Sequence, residues 1–271
     1  MTNSQALILG IVQGLTEYLP VSSSAHLVLV PHLLGWHIVP EKAFIFDILV
    51  QLGTLVGVFC YFFTPIKEVI MSVLKGLADR KPFYNREAQL GWLVALASIP
   101  AAILGFTFKT QLAAYFSSPL ASCYFLIVTS IFLFAAEWLS RALEKQIPTK
   151  KDAVFIGMAQ GLALFPGVSR SGSTIAAGMA CGLTRTDAAR FSFLMSIPVM
   201  IGASLVATFD LINDAHLIHQ LMVPLAVGFI SAAITGYLVI KWFMDFLSTR
   251  RLFIFALYCL AVGGLGALYF V

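Results

Sequence analysis

Glu17 is the only acidic or basic side chain among the first 25 residues, and it stands in an apolar stretch. Arg170 sits between Ser169 and Ser171 in a second apolar stretch. Ionised groups at membrane depth are costly and usually functional. A guanidinium clamps phosphate bidentately, and serine hydroxyls beside it can bond to phosphate or attack phosphorus. Ser22, Ser23 and Ser24 form a run, and His26 follows Ser23 by three positions, so a helix starting near Ser22 puts them on one face. Gln13 precedes Glu17 by one turn and can share its side. A carboxylate, a histidine, an arginine and hydroxyls together suit transfer of a phosphoryl group. Each also has a structural use. Glu17 and Arg170 can pair as a buried salt bridge, which is compatible with both roles, and serines also pack membrane helices.

These residues must be positioned inside a bilayer. The 271 residues are 59% hydrophobic and 11% charged, whereas a soluble domain carries about 25% charged residues. Lipid is therefore the solvent for much of the surface. A net charge of +4 without a basic run argues against nucleic acid as a partner. Cys60, Cys123, Cys181 and Cys259 lie far apart in apolar segments and read as small core residues. His32, His37, His216 and His219 fall at outer ends or loops. Asp47 and Gln51, one turn apart, either line a cavity or bond between helices.

Six segments are long enough to span: Ala43–Phe63, Gly91–Phe108, Leu120–Leu139, Arg190–Phe209, Leu221–Phe243 and Leu252–Val271. Two others, Ser4–Leu34 and Ala153–Leu183, are broken at Leu19–Ser24 and Phe165–Ser171 by proline, serines and, in the second, glycine. Basic residues cluster in four loops: Lys67 to Arg86, Arg141 to Lys151, Arg185 with Arg190, and Lys241 to Arg251. The loop Asp210–Gln220 has none, and Lys42 and Lys109 flank the other loops. The positive-inside rule makes the four basic loops cytoplasmic. Ala153–Leu183 then begins and ends on the same side and must be a re-entrant hairpin. Ser4–Leu34, with no basic residue before Lys42, fits a second hairpin entering from outside. Both termini then face out.

The broken regions are copies. Gly10, Gln13, Gly14, Leu15, Val21, Ser22 and Ser24 recur 147 positions on as Gly157, Gln160, Gly161, Leu162, Val168, Ser169 and Ser171. The expected fold is an all-α polytopic membrane protein of six transmembrane helices and two re-entrant hairpins. Its halves, residues 1–148 and 149–271, form an inverted repeat, because each holds a hairpin and an odd number of spans. Such repeats place a site near the midplane, where they meet. Each break exposes backbone N–H groups at a helix start, with Ser22 or Ser23, and Ser169 or Ser171, as caps. Two helix starts facing each other would hold an anion.

The stretch Gln13–His26 (QGLTEYLPVSSSAH) resembles the first signature of the bacterial undecaprenyl-diphosphate phosphatases, also called bacitracin-resistance proteins; Pro166–Thr174 (PGVSRSGST) resembles the second. The likeness covers nearly the whole chain. It implies hydrolysis of undecaprenyl diphosphate to the monophosphate carrier of cell-wall synthesis, bacitracin resistance, and a place in the cytoplasmic (inner) membrane with the site open outward. It also implies dependence on a divalent cation, Mg²⁺ or Ca²⁺, bridging Glu17 and phosphate oxygens. The family has Glu or Gln at the first signature position; Gln13 leaves this chain without a second carboxylate there. The expected catalytic residues are Glu17, Ser23, His26 and Arg170. Those expected to bind substrate are Gln13, Ser22, Ser169, Ser171 and Thr174. The helix break offers Ser22 and Ser23 equally, and the resemblance favours Ser23 as nucleophile, with His26 as base or acid oriented by Glu17. The expected partners are the bilayer and a polyprenyl diphosphate, with a homodimer left open. The rival reading is a lipid-phosphate flippase or small-solute transporter, since inverted repeats are common in transporters.

Overall fold

The computed structural model of the protein describes residues 1–108, 118–139, 144–212 and 215–271. Lys109 and Arg141, used above to assign sides, and residues 213–214 of the loop without basic residues lie outside the described residues. The described chain forms helices α1 (Asn3–Thr16), α2 (Ser23–Leu33), α3 (Pro40–Tyr61), α4 (Phe63–Ala78), α5 (Arg86–Thr107) and α6 (Pro119–Leu139). It continues with α7 (Lys150–Leu162), α8 (Arg170–Ala180), α9 (Arg185–Ile212), α10 (Ala215–Thr249) and α11 (Phe253–Phe270). Among the described residues there is no strand, only a bridge between Lys145 and Leu183.

Five helical stretches are long and apolar enough to cross a membrane: Arg86–Thr107, Pro119–Leu139, Arg185–Val206, Leu221–Thr249 and Phe253–Phe270. Their outer faces stay apolar, with Ile103, Phe106, Ile131, Leu205, Leu238 and Leu268 all exposed. That surface suits hydrocarbon and would be untenable in water. A sixth candidate is α3 taken together with α4, but the two are bent by 85°. The sequence reading treated the stretch after α3 as a basic loop. It is instead the amphipathic helix α4, with Phe63, Ile70, Met71, Leu74 and Leu77 exposed and Lys67 and Lys75 on the same helix. Counting its charges hid the helical spacing of its apolar residues.

The two broken regions become two short-helix pairs. Helices α1, α2, α7 and α8 have 14, 11, 13 and 11 residues; at 1.5 Å per residue each reaches roughly 16–21 Å, short of a bilayer core of about 30 Å. The glycines duplicated in the sequence seat the first half of each pair. A Cβ on Gly10 would lie 2.4 Å from Gly228 O of α10, and one on Gly157 2.3 Å from Ala97 O of α5. Only small residues let helix backbones approach so closely. The cores of the two broken regions keep their spacing: α2 begins at Ser23 and α8 at Arg170, and they end at Leu33 and Ala180. The ends of the second region also meet. Lys145 N–H donates to Gly182 O (3.0 Å) and Thr184 N–H to Lys145 O (3.0 Å). The Lys145 ammonium and Thr149 N–H both donate to Asp152, whose carboxyl is held below its ordinary range; burial opposes the shift and these donors outweigh it.

Around the broken pairs the long helices form a shell. Helix α9 packs on α3, α5, α8 and α10, and α11 packs on α6. Tyr18, Phe62, Phe193, Phe243 and Phe255 interlock the first break, the α3–α4 junction, α9, α10 and α11. A second buried ion pair, which the sequence reading did not single out, ties three elements. Arg185 at the start of α9 donates from Nε (2.8 Å) and Nη2 (2.6 Å) to Glu137 of α6, which also accepts from Leu252 N–H (2.7 Å). Of the cysteines, Cys123 and Cys259 are buried and Cys181 half-buried, whereas Cys60 is exposed on α3 and is not the core residue expected.

Candidate active site

The two breaks lie against each other and are built alike. Ser22 caps α2 by accepting from Ala25 N–H (3.4 Å), and Ser169 caps α8 by accepting from Gly172 N–H (3.0 Å). Of the alternatives left open by the sequence, the cap is therefore the first serine in each case. Ser22 adopts φ +65°, rare for a residue with a side chain and costing on the order of 1–3 kcal/mol. Gly167 has φ +110°, and a Cβ there would meet Phe125 Cβ and Ser122 O at 2.6 Å.

Each break also reaches into the other. Ser24 Oγ accepts from Gly167 N–H (3.2 Å), and Ser171 Oγ donates to Leu19 O (2.8 Å). Helices α6 and α11 brace this junction from outside it. Thr129 Oγ1 accepts from Ser169 N–H (2.9 Å) and donates to Gly167 O (3.0 Å); Cys259 donates to Pro20 O (3.5 Å). The starts of α2 and α8 are therefore brought together at the junction of the two breaks.

Glu17, 7% exposed, is the hub of that region. Its Oε1 accepts from Arg170 Nη2 (2.8 Å), and its Oε2 accepts from Ser23 Oγ (2.5 Å) and Gln13 Nε2 (2.8 Å). Arg170 also lies over the Tyr18 ring (5.3 Å to the centroid) and donates to Ser192 O (3.4 Å). Tyr18, fully buried, places its hydroxyl 3.5 Å from Ser196 Oγ. Four of the expected residues from both broken regions, Gln13, Glu17, Ser23 and Arg170, thus form one hydrogen-bonded cluster. The short Ser23–Glu17 contact is what activation of a hydroxyl by an adjacent base requires.

His26 is held differently from the expected serine–histidine–acid order. Its Nδ1 lies 2.7 Å from Ser22 O and its Nε2 2.7 Å from Tyr258 Oη. A carbonyl only accepts, so Nδ1 carries a proton and Nε2 of the neutral ring accepts from the phenol. Glu17 bonds to Ser23 directly and not through His26. The remaining expected residues brace the framework. Thr174 Oγ1 donates to Arg170 O (2.8 Å) and lies 2.6 Å from Ser192 Oγ, while Ser169 and Ser171 sit 3.2 Å apart in capping and latching the second break. Asp47 and Gln51 are half-buried on α3, and His32 and His37 are exposed; the side chains of His216 and His219 lie outside the described residues.

Sequence reasoning missed Tyr18, Thr129, Ser192 and Tyr258. Tyr18 was findable as the neighbour of Glu17. Nothing in local spacing links Thr129, Ser192 or Tyr258 to the breaks. As to metals, no group of three His, Cys, Asp or Glu residues among the described residues could hold an ion. Glu17 is the one carboxylate in the cluster, and both its oxygens already accept from donors. The protein alone builds no cation cage here.

The comparisons with known proteins agree with one another. Residues 6–265 match the family described as bacitracin resistance protein BacA. The undecaprenyl-diphosphatase of Alcanivorax borkumensis is 42% identical over 264 residues, covering 96% of each chain. That of Pelodictyon phaeoclathratiforme is 40% identical over 288 residues, covering 100% of this chain and 98% of the relative. That of Chlorobium phaeobacteroides is 39% identical over 271 residues, covering 97% and 95%.

Proposed function

Because the chain belongs to the bacitracin resistance protein BacA family, we propose that it is an integral membrane phosphatase that hydrolyses undecaprenyl diphosphate to undecaprenyl phosphate and inorganic phosphate. It thereby recycles the lipid carrier of cell-wall synthesis and confers resistance to bacitracin. The observation that carries this reading is the Glu17 cluster, where a serine hydroxyl, its base and an arginine meet at two helix starts. The transporter reading finds no comparable support, since the relatives carry the name of a phosphatase.

The reaction we infer runs in two displacements, a reading that the Ser23–Glu17 contact supports. Arg170, together with the first N–H groups of α2 and α8, draws the terminal phosphoryl group against Ser23. Such fixed donors stabilise the charge of the transferring group. Ser23 Oγ attacks phosphorus as its proton passes to Glu17 Oε2. The bond from phosphorus to the bridging oxygen breaks, and undecaprenyl phosphate leaves with those electrons. Water then attacks the phosphoserine and gives a proton to His26 Nε2. The bond from phosphorus to Oγ breaks, Glu17 returns its proton to Ser23, and phosphate departs with the proton that water left on His26 Nε2. Gln13 holds the Glu17 carboxylate in place. Ser22, Ser169, Ser171 and Thr174 support the substrate by fixing the helix starts. Glu17 is the residue that would hold a divalent cation, Mg²⁺ or Ca²⁺, together with the diphosphate, and the chemistry it would supply is charge neutralisation on phosphate oxygens.

The membrane arrangement proposed is six spans and two re-entrant pairs, with the site open to the outer side of the cytoplasmic membrane and both termini outside. The meeting of Lys145 with Gly182 and Thr184 supports return of α7–α8 to its side of entry. The repeats 1–148 and 149–271 are supported by matching caps and latches: Ser22 and Ser169, Ser24 and Ser171. The homodimer stays a proposal that the protein's size in a mild detergent would test. The functional test is phosphate release by purified protein from undecaprenyl diphosphate, with and without a chelator. No release in either condition, with folded protein, would overturn the reading.

A further inference from the structure

Helix α11 reaches the site at a point that the scheme above does not use. Three facts place it there. Its Gly263 packs so tightly on α6 that a Cβ would lie 2.7 Å from Cys123 O. Its Ala256 carbonyl accepts from Ser130 Oγ of α6 (2.7 Å). Its Cys259 donates to the Pro20 carbonyl in the first break (3.5 Å). Tyr258, between these contacts, is thus presented to His26 by a helix that cannot easily shift.

The phenol and the imidazole are nearly parallel, at 10°, with their centroids 5.7 Å apart, an offset stacked pair that also shares the hydrogen bond. His26 is 8% exposed and Tyr258 42%. The Ser22 carbonyl and the phenol grip the imidazole from opposite nitrogens. One grip alone would leave the ring free to rock about its terminal torsion, which is broad for histidine. Both together fix one plane and one tautomer.

We propose that Tyr258 is a positioning residue of the reaction: by donating to Nε2 it fixes the plane of the His26 ring, whose Nδ1–H the Ser22 carbonyl already holds, so that Nε2 is the nitrogen offered to the water of the second displacement. This rests on the phosphatase reading for its kinetic consequence, but not for the state of the ring. The phenol yields its place on Nε2 when water arrives, and donates to Nε2 again once the departing phosphate has taken the proton. Hydrogen-bonding partners that orient the histidine ligands of metal sites commonly cost about 10–100-fold in affinity or activity when lost, and Tyr258 stands in the same relation to the His26 ring.

The variant is Tyr258→Phe, which keeps the ring packing and removes only the hydroxyl. Phosphate release from undecaprenyl diphosphate should show kcat down about 10-fold or more with KM falling alongside it, so that kcat/KM is nearly unchanged, as slowing of the second displacement alone requires. Acid quench during turnover should show the phosphorylated Ser23 peptide accumulating above the wild-type level, because the second displacement is slowed. A structural contact alone would produce no such accumulation. Independently, isotope-labelled histidine is introduced into protein whose other four histidines, His32, His37, His216 and His219, are glutamine. The Nε2 resonance of His26 should move on going from Tyr258 to Phe, as an acceptor losing its donor. An unmoved Nε2 resonance overturns the proposal, as does unchanged turnover in a folded variant. If wild-type protein releases no phosphate, the phosphatase reading has failed and the nitrogen resonance alone judges Tyr258.

Discussion

Replacing Glu17 by glutamine is the most informative perturbation of the site. The three partners of Glu17, Arg170 Nη2, Ser23 Oγ and Gln13 Nε2, are all donors in the contacts observed. An amide offers one acceptor oxygen and turns an NH₂ group toward at least one of those donors. Two effects follow. Ser23 loses its base, which costs about 10²–10⁴ in rate. Arg170, with a side chain 14% exposed, loses the countercharge that offset its burial; breaking a buried pair from one side costs about 3–5 kcal/mol. The assay is phosphate release from undecaprenyl diphosphate in nanodiscs, run beside thermal unfolding of the same samples. The double variant Glu17→Gln with Arg170→Gln separates the effects. It should regain most of the lost thermal stability, because no buried charge is left unpaired, and remain as inactive as the single variant. A single variant that keeps turnover within a few-fold of wild type refutes Glu17 as the base. A double variant less stable than Glu17→Gln alone refutes the ion-pair argument.

Ser23→Ala should abolish turnover while binding of the lipid diphosphate persists, and wild-type turnover should proceed with retention at a chiral terminal phosphoryl group; inversion would mean direct attack by water. Glu137→Gln should lower thermal stability by about 3–5 kcal/mol yet leave kcat of the surviving folded protein near wild type, because the Glu137–Arg185 pair ties α6 to α9 and α11 and touches none of the Glu17 cluster; a selective loss of kcat would contradict that division. Thr129→Val keeps volume but strips the Ser169 N–H and Gly167 carbonyl of their partner. A cost of about 1–3 kcal/mol per buried group left unpaired is expected, and a melting temperature equal to wild type would show that the second break does not depend on α6.

What the sequence disclosed and what it withheld divide along physical lines. Glu17 and Arg170 were legible because each interrupts an apolar run, and an ionised group there must have a partner or a task. The breaks were legible because proline and serine runs stop a helix, and their duplication at a fixed offset carried over to the helix bounds of α2 and α8. Glu137 was not legible, although it too is a carboxylate in an expected span. It lies two residues before the end of α6, where a charge can reach the interface, and its burial depends on Arg185 and Leu252 arriving from distant elements. The bonding order at the site was withheld for a related reason. Helical periodicity placed Ser23 and His26 on one face, and a serine–histidine–acid sequence of bonds seemed natural. Periodicity fixes a direction around one helix, but it says nothing of the turn from α1 into α2 that brings Glu17 under Ser23. Nor can it show Tyr258, 232 positions away, taking the histidine nitrogen that Ser23 would have needed. A hydrogen bond between distant residues leaves no trace in local spacing. Intrinsic costs, of burying charge or breaking a helix, can be read one residue at a time; pairwise bonds require the fold.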